Sequence, residues 1–162
     1  MKFRLILYLL FIIVCMSSCR SSKYESLKYS NKEVERVIKY ASGFMGAPYK
    51  YGGTTPSGFD CSGYVQYVFK EFNYRLPRST SEQSKTGMQI NKKDIKPGDL
   101  VFFTERDSRS KKVGHVGIVV DSDGKGNFLF LHASSSKGVT VTSSLETYYK
   151  PRYLLTRRII VS

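Results

Sequence analysis

The residues that could do chemistry in this chain are few. There are three cysteines and two histidines in 162 residues, and two of the cysteines lie in or at the edge of an apolar leader. Cys61 is therefore left without an intramolecular disulfide partner once that leader is set aside, and a lone thiol in an exported protein needs another explanation. His115 and His132 are the imidazoles available to act with it.

Cys61 stands at the start of a predicted helix, directly after Asp60. A thiol at a helix N-terminus meets unpaired backbone N–H groups and the positive end of the helix dipole. Both favour the thiolate, so the sequence predicts a lowered pKa and a reactive sulfur. Asp60 is the expected N-cap, with its carboxylate pointing away from the sulfur. The alternative is a buried structural cysteine, but flanking Asp and Ser after a glycine-rich loop are not typical of a core.

The two histidines fall on consecutive predicted strands, 115–120 and 127–132. If these strands form a hairpin, His115 lies directly opposite His132, and opposed side chains project from one face with Cβ atoms about 4.5–5.5 Å apart. One ring could then hold the other by a hydrogen bond and fix its tautomer. A register slip of one residue would separate the rings, because it turns one of them to the other face.

A nucleophile on a helix, a base on a strand and an orienting group on the next strand are the components of a Cys–His–polar triad. A zinc site is the competing use of one Cys and two His, with the fourth position open to water. The chain has no C-x-x-C or H-x-x-x-H spacing to support it. We therefore expect no metal and no other cofactor.

The elements that must position these residues change character halfway along the chain. Helical spacing of apolar residues is followed, after residue 96, by short strands separated by turns. This order predicts an α+β fold in a single domain. The predicted helices run from 33 to 45, from about 61, and briefly at 79–82; the predicted strands are 100–103, 115–120, 127–132, 139–142 and 154–161.

The N-terminus has the pattern of an export signal. Lys2 and Arg4 precede an apolar run that is too short to span a bilayer, and Ser17-Ser18 then precede Cys19. A cysteine at that point is typical of a bacterial lipoprotein signal, with Cys19 as the lipidated first residue. The alternative is an ordinary cleaved signal with a chance cysteine.

These patterns divide the chain into a signal peptide at 1–18, a lipidated N-terminus and tether at 19–30, and a catalytic domain at 31–162. We expect the protein to be periplasmic, monomeric and anchored by lipid to the outer membrane.

The chain is strongly basic, with 26 Lys and Arg against 13 Asp and Glu and a net charge of +13. Such a charge speeds encounters with anionic partners and says little about fold. An exported lipoprotein does not ordinarily meet nucleic acid, so anionic lipid and a carboxylate-rich wall polymer fit better than DNA or RNA. Arg78 and the basic loop 106–112 are candidate contacts, although Arg78 could equally pair within the fold.

Six blocks of the sequence together resemble the NlpC-type cell-wall cysteine peptidases, and in particular their small lipoprotein murein endopeptidases. The resemblance spans roughly residues 33–160. The blocks are Pro48-Tyr49-Lys50-Tyr51-Gly52-Gly53, Gly58-Phe59-Asp60-Cys61-Ser62-Gly63-Tyr64-Val65-Gln66, Leu76-Pro77-Arg78-Ser79-Thr80, Pro97-Gly98-Asp99-Leu100-Val101-Phe102-Phe103, Gly114-His115-Val116-Gly117-Ile118 and His132-Ala133-Ser134.

The resemblance implies a papain-like α+β fold and hydrolysis of amide bonds in peptidoglycan stem peptides. It assigns Cys61 as the nucleophile, His115 as the base and His132 as the third polar residue. It also places Tyr49, twelve positions before the cysteine, beside the oxyanion site.

The resemblance further implies that Asp60 and Ser62 contact substrate. It leaves open whether the bond cut is γ-D-glutamyl–diaminopimelate or D-alanyl–diaminopimelate. Two other functions stay open at this stage: an acyltransferase or amidase with the same triad, and a catalytically silent wall-binding lipoprotein.

Overall fold

A computed structural model describes residues 32–105 and 109–161 of the chain. The predicted signal peptide at 1–18 and the predicted tether at 19–30, with Cys19, lie outside the described residues. The elements in chain order are α1 (Lys32–Ser42), β1 (Thr54–Thr55), β2 (Gly58–Phe59), α2 (Cys61–Glu71), α3 (Thr80–Gln83), β3 (Met88–Ile90), β4 (Leu100–Thr104), β5 (Val113–Ser122), β6 (Phe128–Ser134), β7 (Gly138–Ser143) and β8 (Tyr153–Arg158), with 3₁₀ turns at Lys92–Asp94 and Lys150–Arg152.

The predicted α+β fold is confirmed. Within the described residues, six strands form one antiparallel sheet in the order β3-β8-β4-β5-β6-β7. The strand β3 and the small β1–β2 hairpin were not predicted, because runs of two or three residues are too short to show an alternation. No helix in the described part of the chain is long and apolar enough to cross a bilayer.

Helices α1 and α2 pack on one face of the sheet. The apolar stripe of α1 buries Val37, Ile38 and Ala41, while Met45, the last residue of the predicted helix, is 51% exposed beyond the end of α1. The hydroxyl of Tyr64 in α2 donates to the carbonyl of Ala41 at 2.9 Å. This bond satisfies a fully buried hydroxyl and locks the two helices together.

The sheet separates two apolar clusters. The larger lies against the helices and contains Val116, Ile118 and Leu131. The smaller lies on the opposite face and contains Phe103 and Phe130, with Tyr149 packed against it. Side chains of β5 and β6 alternate between the two, as the pleat of a strand requires.

The start of α2 is held by the glycine-rich loop that precedes it. The N–H of Asp60 donates to the carbonyl of Gly53 at 3.0 Å. A Cβ on Gly63 would lie 2.1 Å from that same carbonyl oxygen, so the first turn of α2 can approach the loop only with glycine there. This contact fixes where the helix begins, and with it the position of Cys61.

Candidate active site

Cys61 is the first residue of α2, as predicted, and its half-buried sulfur lines an open cleft of about 1030 Å³. The sulfur lies 3.7 Å from Thr80 Oγ1, and the backbone groups of Ser62 and Val116 also hydrogen bond to it. Because Val116 directly follows His115, the Cys61 sulfur contacts the strand that carries the first imidazole.

The predicted low pKa of the thiol is contradicted. Burial raises the pKa of Cys61 above its ordinary value, and the charge of Asp60 acts in the same direction. Hydrogen bonds from Thr80, Val116 and Ser62 lower it, but burial is the largest influence. The helix N-terminus therefore does not by itself create a thiolate, because its favourable field competes with removal of the sulfur from water.

Asp60 caps α2 as expected. Its Oδ1 accepts from the N–H of Gly63 at 2.6 Å, and its Oδ2 accepts from the N–H of Gly52 at 3.0 Å. Arg78 completes the cage, donating from Nη1 to Asp60 Oδ1 at 3.0 Å and to Ser62 Oγ at 2.9 Å. The prediction that Arg78 pairs within the fold is confirmed.

Asp60 and Ser62 were both expected to contact substrate. They line the cleft, yet they are only 9% and 5% exposed and are engaged with Arg78. Their direct contact with a substrate stays a prediction.

The two imidazoles touch, as predicted, but the predicted register is wrong. Ile118 pairs with Leu131, and a β-bulge lies between Val119 and Asp121, so the register does not put His115 opposite His132. The offset is two residues rather than one, which keeps both rings on the same face of the sheet. The rings meet diagonally, with His115 Nε2 2.9 Å from His132 Nδ1.

The hydrogen bonds continue past the histidines to Thr142 on β7. His132 Nε2 lies 2.9 Å from Thr142 Oγ1, and His132 is 1% exposed. Since Nε2 of His115 faces His132, Nδ1 is its remaining nitrogen for the thiol proton. That nitrogen can accept a proton only if His115 Nε2–H donates to His132 and His132 Nε2–H donates to Thr142.

Thr142 was not among the predicted site residues, because a threonine in an alternating strand carries no signal of its own. Tyr149 was not predicted either. The ring of Tyr149 packs 6.1 Å from that of His115 and 5.4 Å from that of His132. Phe103 and Phe130 close the other sides at 6.2 Å from His115 and 4.9 Å from His132.

This aromatic enclosure sets the protonation of the pair. Burial lowers the pKa of His115 to about 4 and, with the charges of His115 and Lys137, lowers that of His132 to about 3. Both rings are therefore neutral at physiological pH. A neutral His115 is a competent acceptor for the proton of a neutral thiol.

Tyr49, which is half-buried, also lines the cleft. It lies on the loop before α2 and pairs with Phe59 in an isolated β-bridge. Burial raises its pKa, and the Cys61 and Asp60 charges raise it further, so its hydroxyl stays protonated. Its role at the oxyanion site stays a prediction.

The zinc interpretation is not supported by this geometry. A shared ion would require lone pairs from both rings, whereas facing nitrogens of the two rings hydrogen bond to each other. Among residues 32–105 and 109–161, no group of three or more His, Cys, Asp or Glu side chains is arranged to hold a metal ion.

Comparison with known proteins places this site in a family. The model of the NlpC/P60 family matches residues 46–158. The chain is 38% identical over 148 residues to murein DD-endopeptidase MepS/murein LD-carboxypeptidase of Escherichia coli K12, covering 89% of this chain and 73% of that protein. It is 44% identical over 118 residues to the probable endopeptidase NlpC homolog of Haemophilus influenzae, covering 72% of this chain and 58% of that protein.

Comparison with solved structures gives the same family. An NlpC/P60 family protein from Bacillus cereus superposes with a TM-score of 0.69 at 28% identity, over 77% of this chain and 39% of that one. The Haemophilus relative and the Bacillus structure thus extend well beyond the shared region. The family match spans the loop before α2, the cysteine and both histidines, and the chain belongs to the NlpC/P60 family.

Proposed function

We propose that this protein is a cysteine peptidase that hydrolyses amide bonds in the stem peptides of peptidoglycan. The observation that carries the proposal is the hydrogen-bonded series His115–His132–Thr142 in the cleft that holds the Cys61 sulfur. The relatives' names support the substrate class, since they are a murein endopeptidase and a probable endopeptidase.

The reaction begins from a neutral thiol and a neutral imidazole. His115 Nδ1 takes the proton of Cys61 as the sulfur attacks the amide carbonyl, forming the C–S bond and a tetrahedral oxyanion. Collapse of this intermediate breaks the C–N bond, and His115 gives the proton to the leaving amine. Water, deprotonated by His115, then hydrolyses the thioester and returns the thiol.

His132 and Thr142 act through His115. The two hydrogen bonds of 2.9 Å keep the proton on His115 Nε2 and therefore leave Nδ1 free to accept. They also stabilise the imidazolium that forms during attack, because His132 Nδ1 accepts from the charged ring.

The oxyanion needs donors that are already in place. The backbone N–H of Cys61, the first residue of α2, and the hydroxyl of Tyr49 are the proposed donors. Loss of one such donor typically costs about 3–4 kcal/mol of transition-state stabilisation.

Digestion of purified sacculi by the full-length protein in detergent tests the proposal. New stem-peptide fragments, identified by mass spectrometry and absent with Cys61→Ala, are the expected result. The masses distinguish the γ-D-glutamyl–diaminopimelate bond from the D-alanyl–diaminopimelate bond. Intact sacculi that pellet the protein would show a binding module instead, and an acylated product without hydrolysis would show a transferase.

We also propose that the protein is a periplasmic monomer held by lipid on Cys19, most naturally at the outer membrane. The support is the sequence pattern, in which Cys19 follows a short apolar run and two serines. Incorporation of a labelled fatty acid should be lost in Cys19→Ala and retained in Cys15→Ala, the matched control. Equal labelling of both variants would refute anchoring at Cys19.

A further inference from the structure

Among the described residues, two basic side chains of different character line the cleft. Arg78, on the helix side, is neutralised by its ion pair with Asp60. Lys137, on the histidine side, is exposed and makes no ion pair with any described residue. Of the cleft-lining residues that the structure describes, Lys137 is thus the cation without an ion-pair partner.

Lys137 is held at this edge by the turn between β6 and β7. Gly138, the next residue, has φ +68°, and a Cβ there would lie 2.2 Å from the carbonyl oxygen of Ala47. The N–H of Val139 donates to the same carbonyl at 2.8 Å. The base of the lysine is therefore fixed against the loop before α2, and only its flexible side chain is free to move.

Acidic residues nearby do not neutralise it. Glu105 and Glu146 line the cleft as well, but Glu105 faces Lys112 at 3.5 Å, and neither forms an ion pair with Lys137. The field of Lys137 does reach the histidines, since its charge contributes to the lowered pKa of His132.

The position of Lys137 relates it to one of the two fragments on either side of the scissile bond. In the proposed reaction His115 protonates the leaving amine, so the fragment that carries this amine lies along the histidine side of the cleft. We propose that Lys137 binds a free carboxylate on the carbon that bears the leaving amine. This inference rests on the proposed function and deepens it.

The two candidate bonds differ in this respect. The side-chain amine of diaminopimelate, which is acylated in a D-alanyl crosslink, sits on a carbon with a free carboxylate. The amine acylated by γ-D-glutamate sits beside a carboxyl that is itself in amide linkage when the stem continues. Lys137 therefore favours the D-alanyl–diaminopimelate crosslink.

The test uses two synthetic crosslinked muropeptides that differ only in that group, a carboxylate in one and a carboxamide in the other. The full-length protein in detergent should cleave the carboxylate form with a kcat/KM about fivefold higher, the effect of about 1 kcal/mol expected for a partly exposed ion pair. Lys137→Arg should keep the preference, and Lys137→Gln should cleave both forms at similar kcat/KM. Lys125→Gln, the same charge change at the exposed β5–β6 turn, should behave as the wild type.

Retention of the wild-type preference in Lys137→Gln would overturn the role of Lys137 while leaving the peptidase proposal intact. So would equal cleavage of both substrates by the wild type. Failure of the wild type to cleave either crosslink, or sacculi, would overturn the proposed function itself. Unchanged melting temperatures across the variants, expected for exposed side chains, exclude misfolding as the cause.

Discussion

Replacement of Thr142 by valine should slow catalysis without disrupting the cleft. Thr142 is 7% exposed, and its Oγ1 is the partner of His132 Nε2 at 2.9 Å. Valine preserves the β-branched shape and removes only the hydroxyl. His132 then has no acceptor for Nε2–H, so the opposite tautomer, with the proton on Nδ1, is no longer disfavoured. In that tautomer His132 donates to His115, which must carry its own proton on Nδ1 and cannot accept one from the thiol.

The magnitude follows from the bond that is lost. A neutral hydrogen bond contributes about 0.5–1.5 kcal/mol net, and a buried donor left unsatisfied costs about 1–3 kcal/mol. We expect the free energy of unfolding to fall by about 1–2 kcal/mol. A tautomer shift of similar size lowers kcat by about 5- to 30-fold, at 1.36 kcal/mol per factor of ten. KM should change little, because Thr142 acts through His132 rather than by contact with the substrate.

The assay combines muropeptide turnover with nitrogen-15 NMR of the imidazole rings. Wild-type protein should show the proton on Nε2 of both histidines, and Thr142→Val should show loss of that preference together with the fall in kcat. Thr142→Ser retains the hydroxyl and should recover most of the activity. Wild-type kcat in Thr142→Val, or a loss of kcat with unchanged tautomers, would refute the relay.

Three further outcomes are expected. Gly63→Ala places a methyl 2.1 Å from a backbone carbonyl and should lower the free energy of unfolding by about 3 kcal/mol, seen in urea denaturation; wild-type stability would contradict the close approach. Arg78→Gln leaves the Asp60 charge beside Cys61 without its partner, so the thiol pKa should rise further and kcat/KM should fall; an unchanged pH–rate profile would contradict this. Because burial raises the pKa of Cys61, its alkylation by iodoacetamide should still be accelerating above pH 8; a plateau well below pH 8 would show a lowered thiol pKa instead.

Stability should also depend on pH with a definite sign. The pKa of His115 is about 4 in the folded protein, below the ordinary value of 6.5, so the unfolded chain binds the proton more tightly. The stabilisation is complete above pH 6.5 and is lost as the pH falls toward 4. Melting temperatures should decline across this window, less steeply in His115→Asn; identical slopes in the two proteins would contradict the lowered pKa of His115.

The sequence by itself determined the components. Apolar spacing placed α1 and α2, the turn residues bounded most of the strands, and cysteine at a helix start with two histidines on adjacent strands indicated the chemistry. These features are local: a helix stripe repeats within a few residues, and a strand face alternates residue by residue. The predicted contact between the two rings is correct although the predicted register is wrong, because a shift of two residues returns a side chain to the same face.

Only the tertiary structure decided how those components interact. The bulge between Val119 and Asp121 set the diagonal approach of the rings. Thr142 joined the relay from a strand ten residues further on. The pKa of Cys61 is raised, whereas the sequence predicted that it would be lowered. Burial depends on the whole packed domain, and it outweighs the helix N-terminus that the sequence could show. Desolvation and register both depend on residues distant in the chain, so no local pattern encodes them.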